Sequence, residues 1–169
     1  MALVYLMLGS NIGDRYHFIF EAKNLIKQNA GEIIEKSSLY ETEPWGFQSY
    51  DKFFNQAVAI KTEQEPLQLL QTIQNIEHLL QRERGNLKYH PRTIDIDILF
   101  HGQMVVNSER LYIPHPLIQD RRFVLIPLVE INSQLLHPVY KKTVLQLLKE
   151  CTDTKEVMKI DKIIGQKEF

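Results

Sequence analysis

The chain has 169 residues, 44% hydrophobic and 24% charged, the balance of one ordinary globular domain long enough to bury a sizeable core. Its formal net charge of −1 leaves no global basic field, which argues against a general nucleic-acid or membrane-surface role. No apolar run approaches the roughly eighteen residues of a transmembrane helix, and the single cysteine, Cys151, rules out an intrachain disulfide and makes a reducing cytoplasm the expected setting.

Residues 2–8 read as an apolar strand ended by the turn residues Gly9-Ser10-Asn11; they lack the basic flank of a signal peptide. Asp14 is a candidate N-cap for a helix over about 15–29, where Phe18, Ala22, Leu25 and Ile26 recur at helical spacing. Residues 32–42 alternate loosely as a strand, and Pro44 and Gly46 punctuate the loop that follows. Phe53 to Lys61 is a strand, and Pro66 opens a helix running to about residue 83. After a polar loop over 84–91 come a strand through Phe100, a hairpin at His101-Gly102 and a second strand near 104–107. Pro114-His115-Pro116 is a rigid turn. Helices follow over about 120–130, interrupted or begun at Pro127, and about 143–151. From about residue 153 the chain is a weakly patterned, loosely docked tail of a single domain spanning 1–169. Strands and helices in mixed order predict an α+β sheet with helices packed on its faces.

The strand Ile94-Asp95-Ile96-Asp97-Ile98-Leu99-Phe100 breaks its own composition twice. Side chains alternate with period 2, so Ile94, Ile96, Ile98 and Phe100 share one face and Asp95 and Asp97 the other. Two carboxylates at roughly 6–7 Å repel by about 0.7 kcal/mol in water and about 2.5 at a half-buried site. Asp is also a poor strand residue, and local rules are broken where function requires it. Two hard oxygen ligands with positions left open suit Mg²⁺ held jointly with substrate phosphates. A solvated outer face is the plainer alternative.

The neighbouring sequence favours phosphate. Residues 81–92 carry Arg82, Arg84, Lys88 and Arg92 against Glu83 alone, about +3 in a near-neutral protein. Surface ion pairs contribute too little to explain such clustering, whereas guanidinium forks match phosphate oxygens. Arg110, His115, Arg121 and Arg122 extend the basic set downstream. Trp45 and Tyr89 sit in polar loops where a flat substrate could stack, and Asn55 offers an amide edge suited to reading a heterocycle. No P-loop, G-x-G-x-x-G, C-x-x-C or H-E-x-x-H motif is present.

Leu8-Gly9-Ser10-Asn11, Pro44-Trp45-Gly46 followed by Phe53 and Asn55, Gln74 with Glu77, Pro91-Arg92-Thr93-Ile94-Asp95-Ile96-Asp97-Ile98, and Arg110-Leu111-Tyr112-Ile113-Pro114-His115 occur in a familiar order. Over roughly residues 3–131 the chain resembles the 6-hydroxymethyl-7,8-dihydropterin pyrophosphokinase family of folate biosynthesis. The resemblance implies a ferredoxin-like α+β core, mainly antiparallel, with a hairpin extension. It implies transfer of the pyrophosphoryl group of ATP to the pterin hydroxymethyl, giving AMP and the pterin diphosphate. Asp95 and Asp97 would hold two Mg²⁺ ions. Arg82 and Arg92 would be catalytic cations that reach the transferring group. Gln74, Glu77, Arg84, Lys88, Arg92, Ile98, Arg110, Leu111, Tyr112, His115 and Arg121 would bind ATP. Thr42, Pro44, Trp45, Phe53, Asn55, Tyr89, Asp95 and Phe123 would hold the pterin, with the 84–91 loop closing as a lid. The expected form is a cytoplasmic monomer that binds ATP and the pterin, with no nucleic-acid or membrane partner.

Departures from the family pattern are His90 before Pro91, Tyr89 where an indole is common, and Pro116 after His115. The enzyme alternative is another Mg²⁺-dependent nucleotidyltransferase using D-x-D. A ferredoxin-like RNA-binding module is opposed by the near-zero charge and the acidic pair.

Overall fold

The computed structural model describes residues 1–46, 51–81 and 93–161. Strand β1 (Ala2–Ser10) is apolar at nearly every position because both its faces are covered: Val4, Leu6 and Leu8 enter one core cluster, Tyr5 and Met7 the other. It lies between β4 (Phe53–Thr62) and β5 (Asp95–His101), antiparallel to both. On the other edge of β4, β2 (Glu32–Lys36) and β3 (Tyr40–Thr42) pair in succession. With β2 and β3 counted as one interrupted strand, the order β-α-β-β-α-β and the antiparallel sheet are ferredoxin-like.

Helices α1 (Arg15–Asn29) and α2 (Pro66–Gln81) bury Phe18, Ile19, Ala22, Ile26, Leu69, Ile73 and Ile76 against one face of the sheet. Asp14 caps α1 as its position predicts, its carboxylate accepting the His17 N–H at 3.0 Å. On the opposite face α3 (Arg122–Asn132) and α4 (Val144–Glu150) cover Tyr5, Ala57, Ala59 and Phe100 with Val124, Leu125, Leu128, Val144 and Leu147. Cys151 is a free thiol packed at the margin of this second cluster. No helix among the described residues is long and apolar enough to cross a membrane.

Several local expectations are corrected. Gly9 and Ser10 do not end β1 but continue it, paired with Asn55 and Phe54. The strand over 32–42 splits at Ser37, whose hydroxyl accepts the Ala57 N–H at 3.0 Å in place of a ladder carbonyl. Ser38 then turns to Glu130 on α3. Phe100 leaves the isoleucine face because the register slips by one residue, from Leu6 opposite Ile98 to Tyr5 opposite Phe100; this bulge at Leu99 reverses the alternation. Beyond Gly102 the chain does not return along β5. Instead β6 (Val106–Asn107) and β7 (Tyr112–Ile113) form a small hairpin, while the Ile96 N–H on the outer edge of β5 donates to Glu77 of α2 at 2.8 Å.

After a 3-10 turn (Ile118–Asp120), α3 starts at Arg122 and runs through Pro127, which neither begins nor interrupts it. Through residue 161 the tail is docked rather than loose: β8 (Val157–Lys159) adds an antiparallel strand to the outer edge of β3, and residues 162–169 lie outside the described residues.

Candidate active site

Register assembles the site. Met7 lies opposite Asp97, and Gly9 lies between Asp95 on one side and Asn55 on the other. By strand alternation these five residues lie on the α3/α4 face, toward the Asp95 end of β5. They floor a cavity of about 130 Å³ whose walls are Thr42, Glu43, Trp45, Phe53, Arg121 and Phe123. Asn55 and Thr42 are buried, and the Asn55 amide N–H donates to Thr42 Oγ1 at 2.6 Å. Any Cβ on residue 9 would come within 2.8 Å of Asn55 Oδ1, so the close approach of that amide requires glycine.

The walls are aromatic. Phe53 precedes Asn55 on the same face of β4, Trp45 follows β3, and Phe123 sits in the first turn of α3. The Arg121 guanidinium stands 4.7 Å from the Trp45 ring centre and 5.8 Å from that of Phe123, a flat cation between two flat rings. Its Nε is buried and makes no hydrogen bond.

Charge converges on Asp97. Burial lowers the Arg121 pKa from its ordinary value, and Asp97 and Asp120 oppose that fall. Burial likewise lowers the His115 pKa, with Asp97 pulling it up and Arg121 pushing it down. His115 follows a cis Ile113–Pro114 bond, and its backbone N–H donates to the Leu99 carbonyl at 3.0 Å. His115 Nδ1 accepts the Leu117 N–H at 3.2 Å, so the neutral ring carries its proton on Nε2.

Asp95 is half-buried and Asp97 exposed. Among the described residues no group of three or more His, Cys, Asp or Glu gathers as a protein-only cage. Two carboxylates on one face, beside a cavity and near cationic groups, fit a hard cation whose remaining positions are filled by phosphate and water.

The other expected residues lie elsewhere. Glu77 is tied to β5 by the Ile96 N–H. Ile98, two positions on, directs its backbone groups to the same edge and its side chain into the first core cluster. Gln74 is exposed one turn before Glu77. Arg110 and Tyr112 are exposed around the β6–β7 hairpin; Leu111 is buried, its N–H and carbonyl closed on Ser108. The described members of the expected pterin set therefore gather around the cavity, except for Pro44, which is buried beside it, and the described members of the ATP set follow β5 and the hairpin. Arg121, expected with ATP, stands among the aromatics. Arg82, Arg84, Lys88, Tyr89 and Arg92, with the 84–91 loop, fall outside the described residues.

Sequence reasoning missed Met7, Gly9 and Glu43 as cavity residues. The Met7-x-Gly9 spacing matches that of Asp95 and Asp97, but only the register reveals the shared face.

The family model described as 7,8-dihydro-6-hydroxymethylpterin-pyrophosphokinase matches residues 5–133. A Bacillus subtilis protein named 2-amino-4-hydroxy-6-hydroxymethyldihydropteridine pyrophosphokinase is 43% identical over 134 residues, covering 79% of this chain and 80% of its own length. An Aquifex aeolicus protein of the same name is 38% identical over 152 residues, 90% of this chain and 94% of its own. In fold, the chain is similar to a wild-type HPPK-DHPS from Plasmodium falciparum solved with pteroate, with a TM-score of 0.72 at 19% identity over 88% of this chain. This chain spans 44% of that longer one. Strand order, the paired aspartates and these matches agree: the chain belongs to the 7,8-dihydro-6-hydroxymethylpterin-pyrophosphokinase family, which transfers a pyrophosphoryl group to 6-hydroxymethyl-7,8-dihydropterin in folate biosynthesis.

Proposed function

We propose that the cavity holds the pterin ring, that ATP is the pyrophosphoryl donor and lies along β5, and that the products are AMP and the pterin diphosphate. The observation that carries this reading is the common face of Asn55, Gly9, Asp95 and Asp97, which sets a heterocycle-reading amide beside a pair of carboxylates. Asn55 and Thr42 read the polar edge of the ring. Trp45, Phe53 and Phe123 supply stacking surfaces, and Arg121, now between two of those rings, yields its place to the pterin and turns to phosphate.

Asp95 and Asp97 would hold two Mg²⁺ ions, whose charge neutralises the triphosphate. The residues of the chain do the rest by positioning, since phosphoryl-type transfer needs alignment and charge stabilisation more than covalent help. His115 presents Nε2–H as a neutral donor. The outer edge of β5 at Ile98 offers backbone groups to a nucleotide base, flanked by Gln74, Glu77 and the hairpin residues Arg110, Leu111 and Tyr112. Arg82 and Arg92 supply the cations for the transferring group, with Arg84 and Lys88 as phosphate neighbours and Tyr89 closing on the ring. The protein would act as a monomer, and the free Cys151 suits a reducing cytoplasm.

The test is ATP consumption with and without 6-hydroxymethyl-7,8-dihydropterin, resolving AMP, ADP and pyrophosphate. Equal amounts of AMP and pterin diphosphate, formed only with Mg²⁺, are expected. Release of ADP would indicate single-phosphoryl transfer and release of pyrophosphate nucleotidyl transfer; either contradicts the reading.

A further inference from the structure

The family match stops at residue 133, yet a short segment beyond it reaches both walls of the cavity. Arg121, at the N-cap position of α3, offers no side-chain cap; Asp153 supplies one instead, its Oδ2 accepting the Arg122 N–H at 3.0 Å. The other Asp153 oxygen accepts the Lys155 N–H at 3.1 Å and turns the chain toward β3. Lys155 Nζ then lies 3.8 Å from Glu43, and Glu156 pairs with Lys52 at 3.3 Å, so consecutive residues hold the two ends of the loop that carries Trp45. Val157 pairs opposite Thr42, and Lys159 reaches Glu130 of α3 at 3.7 Å.

One segment of seven residues, ending in β8, therefore ties the start of α3, with Arg121 and Phe123, to the end of β3, with Thr42, Glu43 and Trp45. Exposed ion pairs hold little individually. The helix cap and the strand pairing set where each wall stands, and the ion pairs align the loop between them. We propose that residues 153–159 form a strap that sets the width of the aromatic cleft, with Asp153 as a positioning residue for the pterin. This rests on the reading of the cavity as the pterin site.

The experiment uses full-length Asp153→Ala and Asp153→Asn, together with Lys52→Glu, Glu156→Lys and their charge-exchanged pair. Asp153→Ala should raise the pterin KM about five- to tenfold, the loss of one helix cap, with the ATP KM and kcat within about twofold. Asp153→Asn should restore the pterin KM in part, because its one amide oxygen can still accept the Arg122 N–H while its NH2 cannot accept that of Lys155. Acrylamide quenching of Trp45, the sole tryptophan, should rise without ligand in Asp153→Ala and rise less in Asp153→Asn. Each single charge reversal should raise the pterin KM about two- to threefold, as expected for an exposed pair, and the exchanged pair should recover it. Unchanged quenching and unchanged pterin KM in Asp153→Ala overturn the strap. Raised quenching with an unchanged pterin KM keeps the strap and overturns the assignment of the cavity to pterin.

Discussion

The face of the sheet beneath α3 and α4 is built by the same three strands at both ends, but only one end is filled. Toward His101 it carries Tyr5, Ala57, Ala59 and Phe100, all buried under Leu125, Leu128, Val144 and Leu147. Toward Asp95 it carries Met7, Gly9, Asn55 and the two aspartates, and α3 reaches them only with its first turn. The change occurs within a few residues of each strand. Close packing stabilises the first end, whereas the second holds hydrogen-bonding and charged groups that lower-energy packing would have replaced. Stability and chemistry should therefore separate when the two ends are mutated.

The largest separation is expected at the aspartates. Asp95→Asn and Asp97→Asn are nearly isosteric and relieve like-charge repulsion, so the thermal midpoint should hold or rise slightly. Turnover should fall by about 10²–10³-fold or more, because the phosphate charge loses its clamp. Steady-state assays alongside thermal unfolding check both halves. Phe100→Ala is the reverse experiment: it should cost about 3–5 kcal/mol of stability in urea unfolding and leave kcat per folded molecule near wild type. A matched loss of kcat there would mean that the two ends are coupled.

Gly9→Ala tests the boundary more gently. The new methyl would press on Asn55 Oδ1 at 2.8 Å, and that displacement should weaken pterin binding about tenfold by calorimetry, at a stability cost of about 1–3 kcal/mol. Unchanged pterin affinity would show that the Asn55 amide does not read the ring.

The smallest effect is a pH dependence at the packed end. His137 lies tilted against Tyr140, ring centres 4.6 Å apart, and meets Phe100 edge-on at 5.6 Å, and burial lowers its pKa. Its folded pKa lies below the unfolded value, so the unfolded chain binds more protons in acid. Its contribution to stability is therefore lost as pH falls below about 6.5. His137→Gln should flatten the decline of the urea midpoint in that range; an unaltered pH slope would remove His137 as its source.

The sequence revealed what is local. Helix α1 with its Asp14 cap, α2 opened by Pro66, and strands β1 and β4 follow from periodicity and capping chemistry, which neighbouring residues determine. The acidic pair was equally visible, because two aspartates on one strand face conflict with both propensity and charge. Registers were not visible. Nothing near Leu99 announces the bulge that carries Phe100 to the opposite core, and nothing near Gly9 announces that it faces Asp95 and Asn55. Nor could residues 157–159 be read as a strand, since three residues on an exposed edge leave no periodic signature and gain their pairing from β3 alone. Arg121 shows the same limit: its charge suggested phosphate, while its place between Trp45 and Phe123 depends on how α3 meets the loop after β3.

The most direct test of the central claim is binding of Mn²⁺, as a paramagnetic substitute for Mg²⁺, measured by electron paramagnetic resonance with a nonhydrolysable ATP analogue and the pterin present. Wild type and Phe100→Ala, kept below its unfolding midpoint, should both bind the ion, and Asp95→Asn and Asp97→Asn should each lose most of that binding while remaining folded. Full Mn²⁺ binding in both aspartate variants would contradict the claim that the open end of this sheet face is the metal-assisted transfer site.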